Sequence, residues 1–436
     1  MSAAADDGGR AFGFDTRALH AGQRVDAETG SRAVPIHQTA AYVFEDADHA
    51  ADLFDLNRFG NIYTRLMNPT TAVFEERMAS LEGGVGALAT SSGLAAQAVA
   101  IMTLLDAGDH IVASRHLYGG SHNQLAMTLS RFGVTTTFVD PADPAAWRAA
   151  VTPRTRLLYG ETIGNPRLDV LDIAMVAGVA GEHGLPLLVD NTFATPYLCR
   201  PFEHGAHLVS HSATKWICGH GTTIGGVLVD GGTFPWEDGM FPGLVEPSPG
   251  YRGLRYAETF GNFAFVMKAR VETMRDLGPV LSPFNAFLLL QGLETLSLRM
   301  DRHVASAAAV AEFLAGHPGV TWVAYPGSPG GPEAERAARY LPLGAGAVVT
   351  FGVRGGREAG RRLIEACDLC SHLANVGDAK TLIIHPASTT HRRLDEEGLA
   401  LAGVGDDMVR VSVGLETLDD IVWDLDRAIT AATSAA

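Results

Sequence analysis

Short apolar runs alternate with helical stretches through the middle of the chain, and this alternation predicts its architecture. Between the runs lie segments with apolar residues at helical spacing, such as 94–105. Strand–helix alternation of this kind indicates a mostly parallel sheet covered by helices on both faces. The predicted fold class is therefore α/β. Strands are predicted at 87–90, 110–113, 136–139, 157–159, 186–189, 208–210 and 226–229.

The parts that flank this region lack the alternation. Residues 1–65 show little periodicity and predict an extended N-terminal arm. Glycine, proline and aromatic residues interrupt 231–261, which predicts a long surface insertion, and a helix is predicted from 262 to about 278. We expect one large domain at 66–278, which follows the arm and contains the insertion.

The last third of the chain predicts a second, smaller domain at 279–436. It mixes helical stretches with strand-like runs at 347–351 and 410–413, a pattern typical of an α+β domain. A chain of 436 residues is also long for a single hydrophobic core, which favours two domains or one large domain with an appendage.

Composition narrows the classes of partner. Hydrophobic residues make up 47% of the chain and charged residues 19%, the balance of a folded protein. With 33 basic and 49 acidic residues the net charge is 33 − 49 = −16, which disfavours nucleic acid and anionic membranes. No signal peptide is predicted, because residues 1–10 lack a basic flank and an apolar stretch. No membrane span is predicted either, because the apolar stretch 277–293 contains two prolines.

The four cysteines are too few for a disulfide scaffold, so we expect a reducing cytoplasm. Cys367 and Cys370 form a C-x-x-C pair. Since zinc normally takes four protein ligands and no second pair exists, we interpret them as two small apolar residues one turn apart on a helix. No metal site is predicted.

Polar residues follow five of the predicted strands at the ends where ligands of parallel sheets bind. Alone, each has an ordinary structural explanation, such as a helix cap, a turn or a core aromatic ring. Together they predict one shared cleft. The residues are Ser91, Ser92 and Gly93, then His116 and Tyr118, then Glu161 and Asn165, then Asp190, and finally Ser212, Thr214 and Lys215.

The chemistry of this set matches a phosphorylated pyridine aldehyde. Ser-Ser-Gly at a helix start offers N–H groups to a phosphate. Asp190 ends a very apolar run, where burial would be costly without a cation such as a protonated pyridine nitrogen. Lys215 offers a desolvated amine for a Schiff base with the aldehyde. An acid for the ring nitrogen and a lysine for the aldehyde are the requirements of pyridoxal-5′-phosphate (PLP).

Several segments carry a more specific signal. VSHSATKWICGHGT at 209–222 surrounds Lys215, and YTRLMNPT at 63–70, SSGLAAQ at 91–97 and ETIGNP at 161–166 lie upstream. Three further segments carry the same kind of signal: VDNTFATPYLCRP, HLANVGDAKTLIIHPASTTH and VRVSVGLE. Over nearly its whole length the chain resembles the Cys/Met-metabolism family of PLP enzymes. The resemblance implies a fold-type I PLP-dependent transferase with a smaller C-terminal α+β domain.

The resemblance also implies roles for single residues. Lys215 would hold PLP and transfer protons, Asp190 would pair with the pyridinium, and Tyr118 would stack on the ring. The phosphate would be held by Ser92, Gly93 and Leu94 at the helix start and by the hydroxyls of Ser212 and Thr214.

Other roles concern the substrate and the neighbouring subunit. Arg410 would bind the substrate α-carboxylate, with Asn165 and Asn375 beside it. Tyr63 and Arg65 would reach the phosphate in a neighbouring subunit, so a homodimer with shared active sites, assembled into a homotetramer, is expected. The sequence departs from the family pattern at Cys218, after the lysine, and at Arg392 and Arg393, near the expected substrate entrance.

Within the family the wording is most similar to members that act on O-acetylhomoserine. This implies a γ-replacement in which sulfide or a small thiol such as methanethiol displaces acetate, giving homocysteine or methionine. Methionine γ-lyase and cystathionine γ-synthase or lyase activities remain alternatives within the family. A non-enzymatic protein that binds a phosphate ligand is the alternative from a different class.

Overall fold

A seven-stranded sheet forms the centre of the large domain. The computed structural model describes residues 10–390, 392, 399 and 403–434. The strand order is β1-β7-β6-β5-β4-β2-β3, and β7 alone runs antiparallel to its neighbours. The seven predicted strands and the mostly parallel sheet are thus confirmed. The strands are β1 (Gly86–Thr90), β2 (His110–Ser114), β3 (Thr135–Val139), β4 (Thr155–Glu161), β5 (Leu187–Asp190), β6 (Leu208–His211) and β7 (Gly226–Asp230).

Alternate strand residues contribute to two hydrophobic layers. On β5, Leu187 and Val189 join one buried cluster, whereas Leu188 joins the other. This alternation follows from the period of two in a strand. The helices of this part of the chain are α1 (Phe14–His20), α2 (Ala47–Phe54), α3 (Pro69–Glu82), α4 (Gly93–Leu104), α5 (Gly119–Asn123), α6 (Pro144–Ala150), α7 (Ile173–Glu182), α8 (Thr195–Leu198), α9 (Pro242–Val245), α10 (Tyr256–Phe260), α11 (Ala264–Lys268) and α12 (Arg275–Leu277). Of these, α3 and α7 pack in one layer and α4 in the other, so helices cover both faces of the sheet.

The segment 231–261 has many exposed residues, but several of its side chains anchor it in the core, which its prediction as a surface insertion did not include. Trp236, Phe241, Leu244 and Tyr256 are buried in the second hydrophobic layer. The Trp236 ring stacks on Phe265 of α11 with ring centroids 5.3 Å apart. Its many glycines and prolines concealed a set of aromatic anchors, which contribute large buried areas despite the irregular backbone.

A five-stranded, mostly antiparallel sheet forms the second unit, in the order β10-β11-β12-β9-β8. This confirms the predicted fold class. Its strands are β8 (Val320–Ala324), β9 (Val348–Val353), β10 (Ser371–His372), β11 (Leu382–Ile384) and β12 (Met408–Ser412). Its helices and those that lead into it are α13 (Pro283–Glu294), α14 (Leu296–Gly316), α15 (Ala334–Tyr340), α16 (Gly356–Ala366) and α17 (Leu418–Ser434).

The domain boundaries stay predictions. Helix α13 follows the predicted boundary at 279, yet it packs against α1 and α3 of the preceding region. The predicted arm also contains α1 and α2, which its weak periodicity did not indicate. The rest of the described arm is irregular and presents exposed apolar side chains, among them Val43 and Phe59.

The C-x-x-C pair lies beyond the helix rather than on it, which corrects the prediction. Helix α16 ends at Ala366, so Cys367 is its C-cap and Cys370 lies in the following loop. Asp424 of α17 accepts hydrogen bonds from the N–H groups of Asp368, Leu369 and Cys370, which holds the chain in this turn. All four cysteines are free thiols. Among the described residues, no cluster suited to a metal ion occurs.

Candidate active site

A cavity of about 260 Å³ opens at the carboxyl ends of the parallel strands, and eleven of the thirteen residues with a role implied by the resemblance line it. Tyr63 and Arg65 do not line it in the same chain. Both are exposed, and the Arg65 guanidinium lies 5.3 Å from the centre of the Tyr63 ring. The eleven are Ser92, Gly93, Leu94, Tyr118, Asn165, Asp190, Ser212, Thr214, Lys215, Asn375 and Arg410.

Lys215 lies in a tight turn directly after β6. Its N–H donates to the Ser212 carbonyl at 3.2 Å, and its own carbonyl accepts from the Gly219 N–H at 2.7 Å. The amine donates a hydrogen bond to Oδ1 of Asn375. Burial, with the positive charge of Arg410, lowers the pKa of Lys215 to about 8. About one tenth of the amine is therefore a neutral nucleophile at pH 7, far more than for a lysine with the ordinary pKa of 10.5.

Asp190 ends β5 as a buried carboxylate that faces the cavity. Its Oδ2 accepts from Nε2 of Gln97 at 2.7 Å, and its Oδ1 accepts from the Thr192 N–H at 2.9 Å. Burial raises its pKa above the ordinary value, and within the described residues no cation pairs with it. A buried carboxylate held by neutral donors is suited to a cationic ring nitrogen of a ligand.

Gln97 is a site residue that the sequence predictions did not include, whereas Glu161 was predicted to face the cleft and lines it. Gln97 lies one turn after Gly93 on α4, and its position in SSGLAAQ was the available signal. Glu161 is the register partner of Asp190 on the neighbouring strand. Its Oε1 accepts from the Tyr118 N–H at 2.7 Å, and burial together with the Asp190 charge raises its pKa well above the ordinary range.

The part of the cavity wall at the start of α4 is suited to an anion. Ser92 is the N-cap of α4, where its side chain accepts from the Ala95 N–H at 3.2 Å. The amides of Gly93 and Leu94 therefore begin the helix at the cavity wall, with the positive end of the helix dipole. Ser212 and Thr214 face the same end from the turn that carries the lysine.

Arg410 on β12 brings the smaller sheet to the cavity. Its Nη1 donates to Oδ1 of Asn165 at 2.9 Å, which orients the guanidinium. Burial lowers its pKa to about 10, so it still carries a charge at neutral pH. A fixed, planar guanidinium in a cavity is suited to binding a carboxylate in two-point fashion.

These groups fit PLP: an amine for the aldehyde, a buried acid for the ring nitrogen and a helix start for the phosphate. The fold and the cavity thus define a pyridoxal-type α/β enzyme. A model of the Cys/Met metabolism PLP-dependent enzyme family matches residues 15–430. The chain belongs to this family, which confirms the predicted family and cofactor and leaves no support for a non-enzymatic binding protein.

Relatives with established names cover nearly the whole chain. An O-acetyl-L-homoserine sulfhydrylase of Leptospira meyeri is 52% identical over 96% of this chain and 97% of its own length. A homocysteine synthase of Schizosaccharomyces pombe is 52% identical over 96% of this chain and 98% of its own length.

A solved structure shares the fold. It is described as an O-acetylhomoserine (thiol)-lyase of Campylobacter jejuni and contains N′-pyridoxyl-lysine-5′-monophosphate. It superposes with a TM-score of 0.93 at 37% identity, over 96% of this chain and all of the other. In the described part of this chain, no helix has the length and apolar character that a membrane crossing requires.

The departures from the family pattern have different outcomes. Cys218 is buried in the turn after Lys215, where its N–H donates to the Ala213 carbonyl at 2.9 Å. Arg392 is an exposed turn residue and is not among the residues that line the cavity. Arg393 lies outside the described residues.

Proposed function

We propose that the protein catalyses γ-replacement on O-acetylhomoserine, with sulfide as the acceptor and homocysteine and acetate as products. The observation that carries this proposal is the cavity itself, which joins a PLP-type lysine and acid to a single carboxylate clamp. Relatives named O-acetyl-L-homoserine sulfhydrylase and homocysteine synthase match over nearly the full length and support the choice of substrate.

The overall reaction exchanges one bond at Cγ. The Cγ–O bond breaks, and acetate leaves with the electron pair. A sulfur lone pair then forms the Cγ–S bond, and the proton lost by hydrogen sulfide balances the charge of the departing acetate. When bound, PLP withdraws electrons from Cα of the substrate, which makes proton removal at that carbon possible.

The residues of the chain bind the substrate and move the protons. Arg410 binds the α-carboxylate, and Asn165 fixes the guanidinium for that contact. The Lys215 amine takes the proton from Cα and delivers it later, a task suited to a pKa of about 8. Asn375 holds this amine through its side-chain oxygen. Tyr118 would stack on the cofactor ring, and Glu161 accepts a hydrogen bond from the Tyr118 N–H, which fixes that residue.

The rest of the wall favours a small acyl group and a small acceptor. Apolar side chains line much of it: Leu94, Ile163, Phe193, Ile224 and Val376. Among the described lining residues, Lys215 and Arg410 are the only lysine or arginine side chains. Neither is free for the second carboxylate of a succinyl ester or of a cysteine acceptor. An apolar wall also limits water, which supports replacement over hydrolytic loss of the side chain.

We further propose that the enzyme is a cytoplasmic homodimer with shared active sites, paired into a homotetramer. Tyr63 and Arg65 would reach the phosphate of the neighbouring subunit, since they lie outside the cavity of their own chain. The exposed apolar side chains of the arm support burial against a second copy, and Val43 is 98% exposed. The four free thiols suit a reducing compartment.

Product analysis with O-acetylhomoserine tests the activity directly. The purified enzyme is given sulfide, methanethiol or cysteine at equal concentration, and homocysteine, methionine, cystathionine and α-ketobutyrate are quantified. We expect homocysteine and methionine to dominate. Cystathionine as the main product would indicate a cystathionine synthase. Ammonia and α-ketobutyrate as main products with thiol present would indicate a γ-lyase, with the PLP site unaffected by either result.

A further inference from the structure

Arg299 on α14 is a buried cation outside the cavity. It is 7% exposed, and within the described residues no carboxylate pairs with it. Burial lowers its pKa to about 10. Since a buried charge without a counter-ion costs free energy, its contacts must supply a compensating benefit.

All of those contacts are to oxygen atoms of two neighbouring segments. Nη1 donates to the Trp216 carbonyl at 2.7 Å, and Nη2 donates to the Gly292 carbonyl at 2.6 Å. Nη2 also lies 3.5 Å from the Ile217 carbonyl, and Nε donates to Oγ1 of Thr295 at 3.3 Å. The rigid fork of a guanidinium can satisfy this set of acceptors, whereas an ammonium group cannot reach them all at once.

Two of these contacts bear on the active site, because their acceptors are the carbonyl groups of the two residues that follow Lys215. Trp216 and Ile217 belong to the turn that carries the lysine, so Arg299 binds the buried carbonyl end of that turn. Arginine at such an end also complements the partial negative charge of the carbonyl groups. A second feature also concerns the contact between α13 and this turn. A Cβ at Gly292 would lie 2.1 Å from the Ile217 carbonyl oxygen, so only glycine allows α13 to approach the turn this closely.

We propose that Arg299 is a positioning residue that fixes the Lys215 turn against α13 and α14. The lysine is thereby set in position relative to Arg410, because α14 also packs against β8 and β9 and β9 pairs with β12. Arg299 acts through the backbone and touches no substrate. This inference rests on the proposed attachment of PLP to Lys215.

The test compares Arg299→Met and Arg299→Lys with the matched control Arg302→Met in the holoenzyme. Arg302 lies on the same helix but is exposed and donates only to the Glu416 carbonyl at 3.2 Å. The visible absorbance of the bound cofactor is titrated against pH, and kcat, KM and thermal stability are measured alongside. With the turn released, the lysine nitrogen gains solvent, which favours its charged form.

We expect the spectroscopic pKa of both Arg299 variants to rise by about half a unit or more. We expect kcat to fall about tenfold, with KM changed little because Arg410 is intact. Arg302→Met should match the wild type. Arg299→Lys keeps the positive charge, so it separates loss of the carbonyl contacts from loss of charge, and it carries the test if Arg299→Met does not fold.

A wild-type spectroscopic pKa and kcat in a folded Arg299 variant would overturn the proposal. A lower melting temperature with an unchanged titration would do so as well, since it would show a role in stability alone. A wild-type protein without a visible band would instead contradict the PLP attachment at Lys215, and it would leave the Arg299 contacts without that consequence.

Discussion

Lysine is rare in this chain, and its rarity makes the site lysine easy to identify by chemistry. Lys215, Lys268 and Lys380 are the three lysines. Lys268 pairs with Glu272 and Lys380 with Asp378, so Lys215 is the amine that faces the cavity. We predict that borohydride treatment of the yellow holoenzyme fixes the cofactor on Lys215, as read by peptide mass spectrometry. A label on either other lysine would refute the assignment.

A second titratable residue tests the energetics of burial away from the site. Asp230 ends β7, and burial raises its pKa to about 7. Between the unfolded pKa near 3.8 and about 7, the folded state binds the extra proton, so its stability falls as pH rises. We predict that Asp230→Asn, which removes the charge, stabilises the protein at pH 8 by about 2–4 kcal/mol.

The gain from Asp230→Asn should shrink to a small fraction near pH 4, where the carboxyl group is protonated in the native wild-type protein and already partly protonated when unfolded. Denaturant unfolding at both pH values measures it. Asp238→Asn, at an exposed position, is the control and should change stability little at either pH. An Asp230→Asn gain of equal size at both pH values would show that the charge is not the cause.

At the scale of elements, the contact between β7 and α4 shapes the proposed phosphate site. Gly226 begins β7, and a Cβ at this position would lie 2.1 Å from the Ser92 carbonyl oxygen and 2.7 Å from the Gly93 nitrogen. We predict that Gly226→Ala displaces the start of α4 and weakens PLP binding at least about tenfold, a loss of roughly 1.4 kcal/mol.

Equilibrium dialysis of PLP against the apoprotein measures the effect of Gly226→Ala. Gly178→Ala is the matched control, because Gly178 lies within α7 and a Cβ there meets no atom within 4 Å. That control should bind PLP like the wild type. Unchanged PLP binding by a folded Gly226→Ala protein would place the phosphate elsewhere.

Sequence reasoning succeeded where the place of a residue at the end of a predicted strand determines its position in the fold. The strand ends brought Asp190, Tyr118 and Lys215 to one cavity because parallel strands share a carboxyl edge. It failed where distant elements decide. Gln97 reaches Asp190 from another element, and Arg299 reaches the lysine turn across 83 positions of sequence. The segment SSGLAAQ pointed to Gln97, but no local pattern indicates the partner of either side chain. The aromatic anchors of 231–261 were missed because burial there follows no period.

At the scale of the whole molecule, contacts within one chain do not account for the exposed side chains of the arm. Asn68 caps α3 and its Nδ2 donates to the His37 carbonyl at 2.8 Å, which fixes the arm near its end. Tyr63 and Arg65 precede this anchor and stay exposed. A positive side chain held in this way is suited to a phosphate on a neighbouring chain.

A mixing experiment tests this arrangement. Arg65→Ala dimers should lack the phosphate contact in both sites, and Lys215→Ala dimers should lack the amine in both. In a hybrid dimer one site receives Lys215 from one chain and Arg65 from the other, so that site is intact. Random exchange makes half the dimers hybrid, so we predict recovery of about a quarter of wild-type activity. Absence of recovery after exchange is proven by mass-tagged subunits would mean that Arg65 serves its own chain.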